Sequence, residues 1–296
     1  MSIEVRRAES DADLEAWARV KRAVLPNESA WTVQQFRERT EPDSLVIVAE
    51  LDGETVGAGL AGRSDVQGRG FVAPRVHPDA RRRGVGKAML LSLTEHVASL
   101  GFDKAWASAD DPGSQAFAKQ FGFEEVDREV EQAIALPAQI PEAPLPDEIE
   151  IVTIADRPEL LREAYPLAQE EGYPDLAVDG DVVVKLDDWL KDEATLPDGS
   201  FVALHEGQIV GYSGLVRHDN PGVAEDGLTV VARDWRHRGL ALALKRLELT
   251  WAAENGFREV LTWTQRRNEG MRKVNEQLGY EYRTVALKMM GPVPIA

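Results

Sequence analysis

A long internal repeat limits the fold of this chain more than any other feature. Segment 46–62, VIVAELDGETVGAGLAG, matches segment 201–216, FVALHEGQIVGYSGLV, with Gly57 against Gly211. Segment 75–90 matches 231–245, with Gly84 against Gly239. Gly101-Phe102 matches Gly256-Phe257, and Gln120-Phe121-Gly122-Phe123 matches Gln277-Leu278-Gly279-Tyr280. The near-constant offset means that a whole domain is duplicated, not a short solenoid unit. The 296 residues accommodate two domains of ordinary size. Between the copies, LPAQIPEAPLPDEIE (136–150) holds Pro137, Pro141, Pro144 and Pro146. Proline lacks a backbone donor and fixes φ, so this stretch reads as a semi-rigid linker. The expected division is an N-terminal domain 1–136, a linker 137–148 and a C-terminal domain 149–296.

Each copy has the same coarse order. A short strand (4–8; 150–154) leads into one or two helices (12–23 and 33–39; 158–171 and 182–192). A hairpin follows (about 45–62; 201–216), its two-residue turn holding a glycine. Then come a strand (70–77; 225–232), a glycine-bearing loop and a helix (85–99; 240–254). A strand (103–108; 258–264), a shorter helix (114–121; 268–277) and a final strand (124–136; 280–290) close each copy. Hairpins mixed with crossover helices give an α/β (α+β) fold, each domain a mixed, mostly antiparallel sheet flanked by helices.

The loop between strand and helix carries the chemistry. It reads Arg81-Arg82-Arg83-Gly84-Val85-Gly86 in the first copy and Arg236-His237-Arg238-Gly239-Leu240-Ala241 in the second. Backbone N–H groups at a helix start lack partners and carry partial positive charge. Small residues let a phosphate approach them, and arginines add charge-assisted donors, so a pyrophosphate suits the loop. GxxxxGK[ST] is absent, and Gly84-Val85-Gly86-Lys87-Ala88-Met89 lacks the third glycine of a dinucleotide fingerprint.

The net charge of −17 argues against nucleic acid, which needs a basic face, and is compatible with a cationic small molecule. With no cysteine, disulfides, thiolate metal sites and cysteine nucleophiles are excluded; five histidines show no metal spacing. Charges from Glu4 onward leave no secretory signal, and no window is apolar enough to span a membrane. A cytoplasmic protein with no metal and no membrane partner is expected; the oligomeric state is left open.

The pattern [Gln/Arg]-x-x-Gly-x-[Gly/Ala], here Val76-His77-Pro78 then Arg81-x-x-Gly84-x-Gly86, and Val231 then Arg236-x-x-Gly239-x-Ala241, resembles the GNAT superfamily of acyl-CoA N-acyltransferases. The tandem arrangement is similar to that of mycothiol synthase and related actinobacterial two-domain members. The resemblance implies acetyl-CoA as co-substrate, its pyrophosphate held by loop residues (Arg233 and Arg236–Ala241; Arg81–Gly86). It also implies a backbone N–H near Val231 or Ala232 (Val76 or His77) as donor to the thioester carbonyl. The reaction expected is acetyl transfer from acetyl-CoA to a primary amine of a small molecule, by direct attack. The alternative is a non-catalytic acyl-CoA-binding or sensory module.

Many members carry a glutamate base on the strand before the loop. Fourteen residues back from Gly239 stands Glu225, whereas the same count from Gly84 reaches Gly70. Glu225 is thus the candidate base of the second copy, or else a solvated strand-start residue. Where many members place an acidic tyrosine, this chain has Ala118 and Asn275. Asn268 and Asn275, two helical turns apart, can share one face towards the cofactor, or Asn268 can cap its helix. On these grounds the C-terminal copy is expected to be catalytic and the N-terminal copy degenerate. Tyr173 and Trp189, flanked by acids, are the candidate contacts to a cationic acceptor, or are core aromatics.

Overall fold

The computed structural model describes residues 2–26, 30–64, 68–140, 145–146, 148–176 and 182–295. The linker prolines Pro141 and Pro144 lie outside them. The chain divides into two compact units, Met1–Val126 with Leu287–Ala296, and Asp127–Ala286.

The first unit begins with β1 (Ile3–Arg7), α1 (Asp11–Val24) and α2 (Val33–Arg39). Both helices open on capping boxes, Ser10 with Asp13 and Thr32 with Gln35, which satisfy otherwise orphaned N–H groups. The hairpin β2 (Leu45–Leu51) and β3 (Glu54–Arg63) turns at Asp52-Gly53, both at positive φ, as a tight hairpin turn needs. Then follow β4 (Gly70–Val76), α3 (Val85–Ser99), β5 (Lys104–Ala109) and α4 (Pro112–Gln120). Strands β1 to β4 pair antiparallel. β4 and β5 run parallel and are paired only at Gly70–Ala105 and Phe71–Trp106.

In the second unit β6 (Glu124–Ala135) precedes β7 (Ile149–Thr153). The expected helix over 158–171 is α5 (Glu159–Leu167), which gives way to a π-helical turn (Ala168–Gly172) and the short α6 (Tyr173–Leu176). Pro166 inside α5 lacks the N–H that a regular helix would use. At Gly172 a Cβ would meet Leu228 and Val230 at 3.2–3.3 Å, so the turn presses closely on the sheet. α7 spans Leu186–Asp192, shorter than the expected 182–192. β8 (Phe201–His205) and β9 (Gln208–Arg217) turn at Glu206-Gly207, again both at positive φ. β10 (Val223–Val231), α8 (Leu240–Glu254), β11 (Glu259–Gln265), α9 (Glu269–Leu278) and β12 (Glu281–Pro292) complete the order. β7 to β10 pair antiparallel, and β10 runs parallel to β11 only over Val223–Asp226.

The final strands do not stay with the copies that encode them. β6 pairs antiparallel with β11, Glu129 to Ala135 against Gln265 to Glu259, in the second unit. β12 pairs with β5 through Leu287–Pro292, and Leu287, Met289, Val293 and Ile295 enter the core of the first unit. Each sheet is therefore completed by a strand from the other half of the sequence, where each copy was expected to keep its own. A strand pairs with whichever open edge also accepts its apolar face, and proximity along the chain does not set that choice.

Candidate active site

The two loops adopt one conformation. A single 3-10 turn (Pro78–Ala80; Arg233–Trp235) ends at Arg81 or Arg236, both extended, with φ −64° and −66°. Arg82 and His237 follow at φ 65° and 62°, then Gly84 and Gly239 at φ 89° and 83°. A glycine N-cap has no side chain to accept from the first amides of α3 and α8. Left-handed residues before a helix start turn successive N–H groups to one side, the usual shape of an anion cradle.

The first arginine of each motif bonds to the backbone of the strand before it. Arg81 Nε donates to Val76 O at 3.3 Å and Arg236 Nε to Val231 O at 3.0 Å, tying the loop to the end of the preceding strand. Arg236 is also paired with Asp175 at 2.8 Å and donates to Glu171 O at 3.2 Å. The Arg233 N–H donates to the Glu171 carboxylate at 2.5 Å. Arg238 lies over the Trp235 ring, 4.6 Å from its centroid, and donates to Asp234 O. The sequence expectation gave these arginines to a pyrophosphate. In the structure Arg236 is paired with Glu171 of the π-helical turn and Asp175 of α6.

In the second unit the loop opens onto a cleft of about 350 Å3, lined among others by Val231, Arg236, His237, Gly239, Leu240, Ala241 and Asn268. The cleft is walled by the last residues of β10 (Leu228–Val231), beyond the gap that opens from β11 after Asp226, and by α8 and α9. Ala232 N–H donates to Val210 O, so in the antiparallel alternation Val231 and Thr229 turn their N–H groups away from β9, towards that gap. Of the two expected donors, the alternation leaves Val231; Ala232 is committed to the ladder. The first unit repeats this, with His77 N–H donating to Val56 O and Val76 facing away from β3.

Its cleft, about 270 Å3, is lined differently, by Trp106, Ser108, Asp111 and Phe117 among others. Phe117 of α4 stands where the repeat puts Val274. A Cβ built on Gly86 would touch the Phe117 ring at 3.4 Å and Val76 at 3.7 Å, so this ring sits against the helix start. In the second unit Val274 and Ala241 both line an open cleft.

Several expected site residues are placed elsewhere. Asn275 is fully buried, and its Nδ2 donates to Gln132 Oε1 at 2.9 Å and Thr264 Oγ1 at 3.3 Å, so it turns into the core. Asn268 does cap α9, accepting from Met271 N–H at 3.1 Å, and still lines the cleft. Trp189 is 1% exposed and donates to Leu161 O, while Tyr173 packs edge-on against it. Both are core aromatics, because α6 and α7 present them to the sheet rather than to the cleft.

Glu225 stands on β10 opposite Val216 of β9, just before a bulge between Asp226 and Thr229. Behind the bulge is a buried polar network that the matching positions of the first unit do not repeat. Asp226 is paired with Lys245, each side chain 1% exposed, and accepts from Tyr280 OH and Thr229 Oγ1. Burial and Asp226 push the Glu248 carboxyl well up, while Lys245 pulls it down. At the matching positions the first unit has Phe71, Leu90 and Leu93. On the other face of the bulge, burial raises the Glu193 carboxyl to about 7. Among the described residues no cluster of His, Cys, Asp and Glu could hold a metal, and no helix is long and apolar enough to cross a membrane.

Comparison with known proteins agrees with this architecture. The profile of the acetyltransferase (GNAT) family matches residues 11–123 and 158–280, one match per copy. A mycothiol acetyltransferase of Thermomonospora curvata is 26% identical over 282 residues, 92% of this chain and 89% of that protein. The crystal structure of a GCN5-related N-acetyltransferase from Sphaerobacter thermophilus superposes with TM-score 0.78 at 22% identity, covering 99% and 97% of the two chains. A tandem GNAT protein from the clavulanic acid biosynthesis pathway superposes with TM-score 0.77 at 19% identity over the full length of both.

Proposed function

Because this chain belongs to the acetyltransferase (GNAT) family, in tandem form, we propose that it transfers an acetyl group from acetyl-CoA to a primary amine of a small molecule, in the cleft of the second unit. The observation that carries this is the glycine-started amide row of α8, opening onto a cleft lined by the end of β10, α8 and α9. The residues fit the co-substrate: Gly239 through Leu242 offer backbone donors to a diphosphate, and Val231 N–H suits the thioester carbonyl. The activated acyl group comes with acetyl-CoA. The chain supplies position, an oxyanion donor and a proton acceptor.

The asymmetry between the copies supports the second as the working one. It has the open path past Val274, the buried charges beneath the β10 bulge, and Glu225. The first has an apolar core at the same depth and Phe117 against its loop, so we assign it a structural role with one acetyl-CoA bound per chain. Glu225 is the carboxylate that meets the amine. The similarity to mycothiol acetyltransferases favours an acceptor bearing a free primary amine on a polar small molecule.

CoA thiol release with a panel of primary amines tests the reading: an amino sugar, a polyamine, an amino acid and a cysteinyl conjugate. Turnover with at least one amine is expected, and Glu225→Gln lowers kcat/KM by about tenfold or more. Thermal stabilisation by acetyl-CoA with no turnover on any amine would mark a binding module instead.

A further inference from the structure

Glu193 directly follows α7, and no feature of its local sequence marks it. Its carboxyl is nonetheless turned into the second unit, against the bulge of β10. Tyr212 OH donates to Glu193 Oε2 at 3.1 Å. The Leu228 N–H, freed from the ladder by the bulge, also bonds to it. Two glycines make the space: a Cβ on Gly214 would lie 2.7 Å from Glu193 Oε2, and one on Gly227 would lie 3.2 Å from it.

Gly227 also faces Val216, the cross-strand partner of Glu225. Side chains of a directly opposed pair share one face, so Glu193 and Glu225 stand on the same side of the sheet. Thr229 and Val231, whose N–H groups turn into the β10–β11 gap, begin one residue beyond Leu228. Leu228, whose N–H meets the Glu193 carboxyl, lines the cleft together with Thr229 and Val231, so the carboxyl stands directly behind the cleft wall on the β10 side.

On the reading given above, we propose that Glu193 takes the proton from the acceptor's ammonium group while Glu225, on the same face, holds that group in place. The ammonium gives one proton to a Glu193 oxygen. The nitrogen lone pair then bonds to the thioester carbon, and the C=O electron pair moves onto oxygen beside Val231 N–H. That pair returns as the C–S bond breaks and its electrons leave with sulfur. The second nitrogen proton goes to that sulfur, giving amide and thiol, and Glu193 releases its proton to water.

Two carboxylates kept in unlike surroundings divide such work, the desolvated one carrying the proton near neutral pH. Burial raises Glu193 to about 7, with smaller upward pushes from Asp226 and Glu225 on β10, while Tyr212 of β9 and the Leu228 N–H pull it down. Glu248 of α8 and Tyr173 of α6 act on the same Tyr212 hydroxyl.

Glu193→Gln and Tyr212→Phe, read by two measurements, test this. Glutamine keeps an oxygen for Leu228 N–H and Tyr212 OH, so a purely structural role survives in Glu193→Gln. The proposal expects kcat with the best amine of the panel to fall about a hundredfold, with the KM for acetyl-CoA unchanged. The rise of wild-type kcat through about pH 7 disappears in that variant, and in Tyr212→Phe it moves to higher pH. In carbon-13 spectra of glutamate-labelled protein without substrate, one carboxyl titrating near pH 7 is lost in Glu193→Gln. Wild-type kcat and pH profile in Glu193→Gln would overturn the proposal, as would the lack of such a carboxyl. If the wild type acetylates no amine, the enzymatic reading falls first, and the spectra still decide whether Glu193 holds the proton.

Discussion

Glu193 links the site's chemistry to the stability of its unit. Its carboxyl rises from an ordinary 4.5 to about 7 in the folded chain. The native state therefore binds the proton more tightly than the unfolded chain does. The stabilisation from that proton is fully present below about pH 4.5 and is lost as pH rises through about 7. Glu193→Gln cannot ionise and escapes the loss. Relative to wild type, it is expected to gain stability between these limits and hold a plateau of up to about 3 kcal/mol above them, with the gain vanishing in acid. Urea unfolding at pH 4.5 and pH 8 measures this, and equal differences at both would contradict it. The buried polar network was not read from the sequence, since a lone charge on an otherwise apolar helix face does not show its partners. The structure places Glu248 on the inward stripe of α8 with Leu240, Leu244 and Ala252. Glu193 was not legible, since only the β10 bulge and the two glycines opposite give its carboxyl a place.

The strand–loop–helix elements were the most readable part of the site. Gly84 and Gly239 take positive φ at a helix start, a conformation that L side chains disfavour by about 1–2 kcal/mol. A Cβ on Gly239 meets nothing within 4 Å, so Gly239→Ala pays only that conformational cost while narrowing the cradle. It is expected to fold, to lose about 1–2 kcal/mol and to bind acetyl-CoA at least about tenfold more weakly. Phe117→Val should do the reverse for the first unit and raise the calorimetric stoichiometry from one acetyl-CoA per chain to two. Two sites in the wild type, or no second site in the variant, would show that Phe117 does not decide which copy binds. The arginines were less readable than the glycines. A backbone turn is set by its own residues, whereas Arg236 is engaged by Glu171 and Asp175, which are distant in sequence.

The whole molecule depends on exchanged strands. A chain ended at residue 136 lacks Leu287, Met289, Val293 and Ile295, all buried in the first unit's core, and the partner strand of β5. Each such side chain contributes about 1.5–3 kcal/mol, so their joint loss rivals the stability of an average domain. Fragment 1–136 alone is expected to be unfolded or aggregated by circular dichroism and gel filtration. Co-expression with 137–296 should restore a folded complex. A folded, monomeric fragment 1–136 would mean that β6 can replace β12 beside β5.

The sequence by itself determined the duplication, the hairpins, the helix-start glycines, the family and the place of the strand–loop–helix motif. These rest on short-range rules: a repeat offset, a period of two or 3.6 residues, or a φ that glycine reaches freely. Only the tertiary structure decided which strand closes which sheet, that Asn275 and Trp189 turn inward, and that Glu193 joins Glu225 on one face. Those outcomes depend on pairing and burial between residues far apart in the chain, where the gain lies in the partner found and not in the local segment.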